Sequence, residues 1–315
     1  MKRIKKLCYV YCVFLVFFII LGNIYIDKRN NKPLKPLKIL ITVKTTFKNH
    51  LTRIRQIYDT WYKLAPESIF FISDAFDPVL NSTLQGRFVN TSCGSSHDPI
   101  SLGCKLDEEL KLIPKINPTW YCHVDDDNYV NIPALINTLN NFNPEFPYYI
   151  GRTATKQPTP QNGRYFWFAI GGAGICLSKA AIKIMTPNIK DLYNLYATRD
   201  GMPDDLALGF IMDILGIKMT EVTNFLSQYD NVDALPLHAI IDTPILSFRE
   251  SDKAFVNLPY FFHPDDDPYK FQTLHCFLFP KQCNPKLRRL GINVFTHHQI
   301  KNHSYGTYVL PTHKW

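Results

Sequence analysis

Apolar and polar positions divide the chain into one long apolar segment near its beginning and a much longer region of short alternating elements. Residues 7–26 are mostly apolar and carry no charge, and about twenty such residues span the hydrocarbon core of a bilayer. Large apolar residues continue to the end of this segment, where a cleaved signal peptide has small ones. The pattern therefore predicts an uncleaved transmembrane signal anchor at residues 7–26, with residues 1–6 as a short cytoplasmic tail.

The residues after the apolar segment are polar and irregular. Between residues 27 and 37 the sequence is charged, rich in asparagine and broken by Pro33 and Pro36, which is typical of an extended stem. We therefore expect a stem at residues 27–37 and a folded domain at residues 38–315.

Within this domain, short β-prone runs alternate with segments in which apolar residues recur at helical spacing. The predicted strands cover residues 38–43, 68–73, 87–89, 120–124 and 148–150. The predicted helices cover residues 51–61, 102–113, 131–140 and 206–215. This alternation predicts an α/β fold whose parallel sheet is covered by helices on both faces. Ligands of such sheets bind at the carboxyl ends of the strands.

The formal net charge of +8 is concentrated at the beginning of the chain. Eight of the 35 Lys and Arg residues, but one of the 27 Asp and Glu residues, lie within residues 1–37. The remaining 27 basic and 26 acidic residues nearly cancel, whereas a nucleic-acid-binding domain needs a basic surface. The charge distribution therefore argues against nucleic acid as a partner.

Cysteines and glycosylation sequons indicate the compartment. Cys8 and Cys12 lie in the predicted anchor, which leaves six cysteines in the domain. This even number suits three disulfides in an oxidising compartment, although six reduced thiols in a cytosolic protein fit the same count. Sequons at Asn81, Asn90 and Asn302 favour the secretory pathway, and the absence of a Cys-x-x-Cys pair from the sequence argues against zinc. We therefore expect a lumenal domain.

Three consecutive carboxylates, Asp125, Asp126 and Asp127, follow the predicted strand that ends at Val124. Such a cluster repels itself unless a cation offsets the charge, and hard divalent ions such as Mn²⁺ and Mg²⁺ take oxygen ligands. The position at a strand end and the chemistry together predict a metal and nucleotide site, although a solvated acidic turn is the ordinary alternative. A second triplet, residues 265–267, lies between Pro264 and Pro268 with no strand before it. We predict a loop there.

The sequence around the first triplet resembles the signature of the Fringe glycosyltransferases. The matching run extends from Trp120 to Asn131 and reads WYCHVDDDNYVN. Further similar stretches lie at residues 43–46, 166–176, 203–205 and 274–276. The resemblance implies a GT-A-like, Rossmann-type mixed sheet with helices on both faces, in a single-pass type II protein of the Golgi membrane. It also implies transfer of GlcNAc from UDP-GlcNAc, in β1,3 linkage, to O-linked fucose on EGF repeats of Notch-like receptors, with Mn²⁺ as cofactor.

The same resemblance implies roles for individual residues. Asp127 would be the direct Mn²⁺ ligand and Asp126 would hold the donor sugar nucleotide. Side chains that would line the UDP site are Lys44, Thr45 and Arg53, although surface charge alone accounts for a lysine or an arginine. Gly171 and Gly172 lack a Cβ and would let the backbone approach a ligand. The implied disulfides are Cys93 with Cys104, Cys122 with Cys176, and Cys276 with Cys283.

Two acids open the last predicted helix. Pro203 precedes Asp204 and Asp205, an apolar run follows, and Gly216 closes it, so both acids are expected at a helix N-terminus. By the resemblance, Asp205 is the general base that removes the proton of the acceptor hydroxyl. The helix dipole favours its ionised form. Without the resemblance, two acids at such a position more often only cap the helix; we assign the cap to Asp204 and the chemistry to Asp205.

The chain departs from the Fringe pattern at one expected metal ligand. Where Fringe proteins have a histidine, the matching stretch FLSQYDN at residues 225–231 has Gln228. A glutamine carbonyl binds hard cations but lacks the imidazole that suits first-row metals. Because the alignment contains a gap here, Asp230 and His238 remain alternative ligands.

Three functions are compatible with these residues. The first is the Fringe-like transfer of GlcNAc. The second is a related inverting β1,3-transferase with another donor or acceptor, because residues 205–209, DLALG, also resemble the core 1 galactosyltransferase. The third, suggested by Gln228, is an inactive lumenal member of the family that binds glycans or partner proteins.

Overall fold

The computed structural model describes residues 37–188 and 201–283. The predicted tail, anchor and stem up to Pro36 lie outside these ranges, as does the sequon at Asn302. Within the described ranges, no helix is both long enough and apolar enough to cross a membrane. The described residues are organised around one large sheet and two small ones.

Twelve strands are present in the described residues. They are β1 Ile39–Lys44, β2 Ile69–Ser73, β3 Phe88–Asn90, β4 Trp120–Asp125, β5 Asn128–Val130, β6 Tyr149–Gly151, β7 Thr159–Gln161, β8 Arg164–Phe166, β9 Ile175–Ser178, β10 Met219–Glu221, β11 Phe225–Leu226 and β12 Ile245–Ser247. Seven of them form the central sheet in the order β10-β6-β9-β4-β1-β2-β3, while β11-β12-β5 form a second sheet and β7-β8 a hairpin.

The central sheet is mixed rather than parallel. Strands β4, β1, β2 and β3 are parallel neighbours, and β6 is parallel to β10. However, β9 runs antiparallel to both β4 and β6. The parallel sheet expected from the alternation of elements is therefore wrong at β9, whereas the mixed sheet implied by the resemblance is confirmed. The segment between β6 and β9 contains the β7-β8 hairpin and no α-helix, and a parallel return usually requires a helical crossover.

Nine α-helices of the described residues pack around these sheets. They are α1 Arg55–Asp59, α2 Pro78–Thr83, α3 Pro99–Leu110, α4 Ile113–Ile116, α5 Ile132–Leu139, α6 Lys179–Met185, α7 Asp204–Ile214, α8 Leu237–Asp242 and α9 Phe271–Leu278. A π-helical turn, His50–Ile54, leads into α1. The helix predicted at residues 102–113 begins earlier, because Asp98 accepts a hydrogen bond from the Ser101 N–H and Pro99 occupies the first turn.

The core lies on both faces of the central sheet. Side chains of β1 and β4 alternate between the two faces, with Ile41 and Cys122 on one and Leu40 and Tyr121 on the other. All four are at most 1% exposed. These strands are buried on both faces, so their sequences are nearly continuous apolar runs.

Three disulfides join elements of the described structure. The bonds are Cys93–Cys104, Cys122–Cys176 and Cys276–Cys283, which are the pairings that the resemblance implies. Cys122 and Cys176 are direct neighbours on β4 and β9. The bond therefore ties the strand that carries the acidic triplet to the strand that follows the glycines at 171–174.

Candidate active site

The carboxyl ends of β1 and β4 place Lys44 beside Asp125, because these two residues are register partners. The Lys44 Nζ lies 3.3 Å from Asp125 Oδ1 and donates a hydrogen bond to Asp204 Oδ2. Burial by itself would lower the pKa of Lys44, but the two carboxylates raise it well above its ordinary value. Lys44 is therefore an internal cation that joins β1, β4 and the start of α7.

Asp126 is held by three donors from the segment after β1. Its carboxylate accepts from Thr45 Oγ1, Asn49 Nδ2 and Arg53 NH1, each at 2.7 Å. Arg53 also donates to Glu250 Oε2 at 2.9 Å. The three residues expected to line the UDP site, Lys44, Thr45 and Arg53, therefore all contact acidic side chains here. Asn49 and Glu250 were missed, because no local pattern marks them.

Asp127 follows Asp126 in the two-residue connection between β4 and β5. Its Oδ1 is buried without a hydrogen-bond partner among the described residues. Burial, followed by the charges of Asp125 and Asp126, raises the pKa of Asp127 to about 8. A cation at Asp127 would offset this repulsion and burial.

Gln228 has an orphaned oxygen of the same kind. Its Oε1 is buried and has no hydrogen-bond partner in the described structure. A Cβ on Gly172 would lie 2.3 Å from that oxygen, so the glutamine amide rests directly on the glycine backbone. The amide has this room because residue 172 is a glycine.

Of the two alternative ligands, Asp230 already has hydrogen-bond partners and His238 is exposed. Asp230 accepts from Ser227 N and Oγ at 2.9 Å and pairs with Arg152 NH2 at 3.0 Å. His238 is an exposed residue in the first turn of α8. Of the three candidates, Gln228 is therefore the one with a buried oxygen atom that has no hydrogen-bond partner among the described residues.

A hard divalent cation fits the chemistry of the unpartnered oxygen atoms of Asp127 and Gln228. Asp127 Oδ1 and Gln228 Oε1 are two oxygen atoms that lack partners, and oxygen ligands suit Mn²⁺ and Mg²⁺. No group of three or more His, Cys, Asp or Glu side chains that could hold a metal occurs within residues 37–188 and 201–283.

Two side chains connect the glycine turn, residues 171–174, to the acidic turn, residues 125–127. Asn128 Nδ2 and Ser247 Oγ donate to the Gly172 carbonyl at 2.8 and 2.5 Å. Asn128 Oδ1 in turn accepts from the Asp125 N–H at 2.8 Å. Asn128 therefore connects the triplet to Gly172, and its place directly after the triplet is the sequence feature that marks it.

Asp205 lies at the N-terminus of α7, against the other glycine. Its Oδ2 accepts from the Gly171 N–H at 3.1 Å and its Oδ1 from the Leu206 N–H at 2.7 Å. Burial, followed by the neighbouring charge of Asp204, raises the pKa of Asp205 above its ordinary value. A carboxylate with a raised pKa is a stronger base.

The assignment of Asp204 as the helix cap is wrong. The residue before the helix is Pro203, without a side-chain cap, and Asp204 is the first helical residue. Its carboxylate pairs with Lys44 instead. Burial would raise the pKa of Asp204, but Lys44 and His123 lower it below its ordinary value. The buried ammonium of Lys44 is thus the ionic partner of this carboxylate.

The second acidic triplet is a loop, as predicted, but Asp267 has a structural role there. It is fully buried and accepts from the N–H groups of Gln272 and Thr273 at 3.0 and 2.8 Å. These N–H groups belong to the first turn of α9, so Asp267 satisfies donors that the helix leaves unpaired.

Comparison with known proteins gives a consistent result. A family model described as Fringe-like matches residues 34–282. The β-1,3-N-acetylglucosaminyltransferase radical fringe of Notophthalmus viridescens is 33% identical, covering 80% of this chain and 67% of that protein. The Fringe glycosyltransferase of Drosophila melanogaster is 34% identical, covering 77% and 62%. The lunatic fringe enzyme of Bos taurus is 32% identical, covering 79% and 69%. The chain thus spans about two thirds of these relatives.

Similar solved structures include the apo-form glycosyltransferase GlyE of Streptococcus pneumoniae. It is 13% identical with a TM-score of 0.46, and the match covers 79% of this chain and 65% of that one.

Proposed function

Because the chain belongs to the Fringe-like family of glycosyltransferases, we propose that it transfers GlcNAc from UDP-GlcNAc, in β1,3 linkage and with inversion, to O-linked fucose on EGF repeats of a Notch-like glycoprotein. The names of the relatives support the GlcNAc donor and the linkage. The observation that carries the proposal is the position of Asp205, a carboxylate aimed by the Gly171 N–H beside the acidic turn.

In the proposed reaction Asp205 is the general base. Its carboxylate takes the proton from the fucose 3-hydroxyl as that oxygen forms a bond to the anomeric carbon of GlcNAc. The bond from that carbon to the UDP oxygen breaks on the opposite face, which inverts the configuration. The raised pKa of Asp205 favours the proton transfer, and its two N–H donors fix the direction of the carboxylate.

The other residues bind and orient the donor. We propose that Asp127 and Gln228 hold a Mn²⁺ ion through their unpartnered oxygens. When bound, the ion neutralises the charge of the diphosphate leaving group. Asp126, kept rigid by Thr45, Asn49 and Arg53, positions the sugar nucleotide, and Arg53 adds positive charge beside it.

We also propose that the protein is a single-pass type II protein of the Golgi membrane with its domain in the lumen. The apolar segment at residues 7–26 supports the anchor. Three disulfides support an oxidising compartment. Asn90 is exposed and Asn81 is partly exposed, so both sequons are accessible to glycosylation.

A UDP-release assay on the full-length protein in detergent tests the function. UDP-GlcNAc and an O-fucosylated EGF repeat, with Mn²⁺, should give UDP release and a β1,3-linked product, and other UDP-sugars with a GalNAc acceptor should give less. Preference for UDP-galactose and GalNAc would favour the core 1-like alternative. No release from any donor, with the three disulfides intact, would favour an inactive binding protein and refute the proposal.

Substitution of the base sharpens this test. The Asp205→Asn variant keeps the shape of the side chain but cannot accept the proton, so transfer should fall by at least about 100-fold. UDP binding, measured by calorimetry, should stay close to that of the unsubstituted protein. Loss of UDP binding or of folding in this variant would contradict the role of Asp205.

A further inference from the structure

A buried, hydrogen-bonded pair of a carboxylate and an imidazole lies beside Asp125. Glu109 on α3 is fully buried, and its Oε2 lies 2.8 Å from His123 Nδ1 on β4. The same oxygen accepts from the hydroxyls of Thr42 and Tyr121 at 2.5 and 2.9 Å, whereas Oε1 has no hydrogen-bond partner within the described ranges. Because an ionised carboxylate only accepts hydrogen bonds, Nδ1 must donate.

The His123 imidazole and the Lys44 ammonium both face this buried carboxylate. A buried carboxylate without a cation is costly. Burial by itself would lower the pKa of His123, but Glu109 raises it above its ordinary value. The hydrogen bond to Glu109 therefore fixes the orientation of the ring and leaves Nε2 on the side away from α3.

The free edge of the ring faces the proposed catalytic base across one glycine. His123 Nε2 lies 3.7 Å from Asp125 Oδ1 and 3.8 Å from the position that a Cβ would take on Gly171. Asp205 Oδ2 lies 3.9 Å from that same position. The space beside Gly171 that a side chain would fill is thus bordered by both the imidazole and the carboxylate, and the Gly171 N–H donates to Asp205.

We propose that Glu109 and His123 form a positioning pair for Asp205: Glu109 fixes the imidazole through Nδ1, and the ring supports the Gly171 turn whose N–H aims the base. This inference rests on the proposed role of Asp205. It adds two residues that do not touch the reacting atoms but act through Gly171.

The proposal has a consequence for the ionisation of the base. Charged and titratable groups that face Asp205 are Asp204 on its own helix, Lys44 on β1 and Tyr149 on β6. Asp204 raises the pKa of Asp205, whereas Lys44 and the Gly171 N–H lower it. If the ring is removed, Gly171 relaxes and its hydrogen bond weakens, so the pKa of Asp205 should rise further.

Three variants of the full-length protein test the pair: His123→Gln, Glu109→Gln and the double variant. We expect kcat to fall by about 10- to 100-fold in each, with KM for the donor within about threefold of the unsubstituted protein. Because the two residues act as one unit, the kcat of the double variant should be no lower than that of the more impaired single variant. The control is His275→Gln, a buried histidine on α9 that bonds Tyr129, and its kcat should be unchanged.

A second readout needs no substrate. Carboxyl ¹³C NMR of Asp205 should show its titration midpoint moved to higher pH in His123→Gln and Glu109→Gln, but not in His275→Gln. Additive losses in the double variant, a change confined to KM, or an unmoved midpoint in folded Glu109→Gln would overturn the proposal. If His123→Gln does not fold, the isosteric Glu109→Gln decides alone. If the unsubstituted protein transfers no sugar, the proposed function fails, and the titration still decides on the pair.

Discussion

The contact between Gly172 and Gln228 leads to a specific prediction about metal binding. In a Gly172→Ala variant the new Cβ would lie 2.3 Å from Gln228 Oε1 and 3.1 Å from its Cδ. Ordinary contact begins near 3.4 Å, so the amide oxygen must move by about 1 Å. Metal–ligand distances tolerate about 0.2 Å, so Gln228 would no longer reach the ion. We expect Mn²⁺ affinity to fall by about 10- to 100-fold.

The neighbouring glycine provides a matched control. The nearest heavy atom to a Cβ on Gly171 would be Asp205 Cβ, at 3.5 Å, which is ordinary van der Waals contact. Gly171→Ala should therefore bind Mn²⁺ within about threefold of the unsubstituted protein, as a neutral contact implies less than about 1 kcal/mol. Both substitutions add one methyl group to the same turn.

Calorimetry and Mn²⁺ electron paramagnetic resonance on the full-length protein measure the affinity directly. Gln228→Ala should reproduce the loss, and adding Gly172→Ala to it should cause no further loss, because both remove the same oxygen. Unchanged affinity in Gly172→Ala, or an equal loss in Gly171→Ala, would show that Gln228 does not bind the ion.

Two further predictions concern stability. Asp267→Ala leaves two N–H groups of α9 unpaired and should lower the free energy of unfolding, measured in urea, by about 1–3 kcal/mol. The control Asp265→Ala, at an exposed position, should change it by less than about 0.5 kcal/mol. Equal effects of the two substitutions would contradict the capping role of Asp267. Burial lowers the pKa of His275 to about 4, below the unfolded value, so stability should be full above about pH 6.5 and fall by about 3 kcal/mol toward pH 4. His275→Gln should remove that part of the pH dependence, and an unchanged slope would refute the assignment.

The parts of the fold that the sequence predicts are those set by local patterns. Strand β1 was predicted at residues 38–43 and lies at Ile39–Lys44, and the strand before the triplet was predicted at residues 120–124 and lies at Trp120–Asp125. Both are continuous apolar runs, because both are buried on two faces. The direction of β9 was not predictable, because it depends on the path of the chain between β6 and β9 rather than on the strand's own residues.

The partners of the site residues were the least predictable part. Asp126 bonds Asn49, 77 positions earlier, and Arg53 bonds Glu250, 197 positions later. Such contacts follow from the tertiary fold and leave no periodic pattern in the sequence. Likewise, Asp204 at the start of α7 pairs with the buried ammonium of Lys44, a contact across 160 positions that helix-capping preferences could not reveal.

The three disulfides differ in how much chain must be synthesised before each can close. Cys93 and Cys104 are 11 positions apart and Cys276 and Cys283 are 7 apart, whereas Cys122 must wait for Cys176, 54 positions later. Since chains emerge from the ribosome at about 5–20 residues per second, Cys122 stays unpaired for seconds while the acidic turn and β6 are made. If the chain enters the oxidising lumen as proposed, early closure of Cys93 with Cys104 would remove the two wrong partners nearest to Cys122 in the sequence.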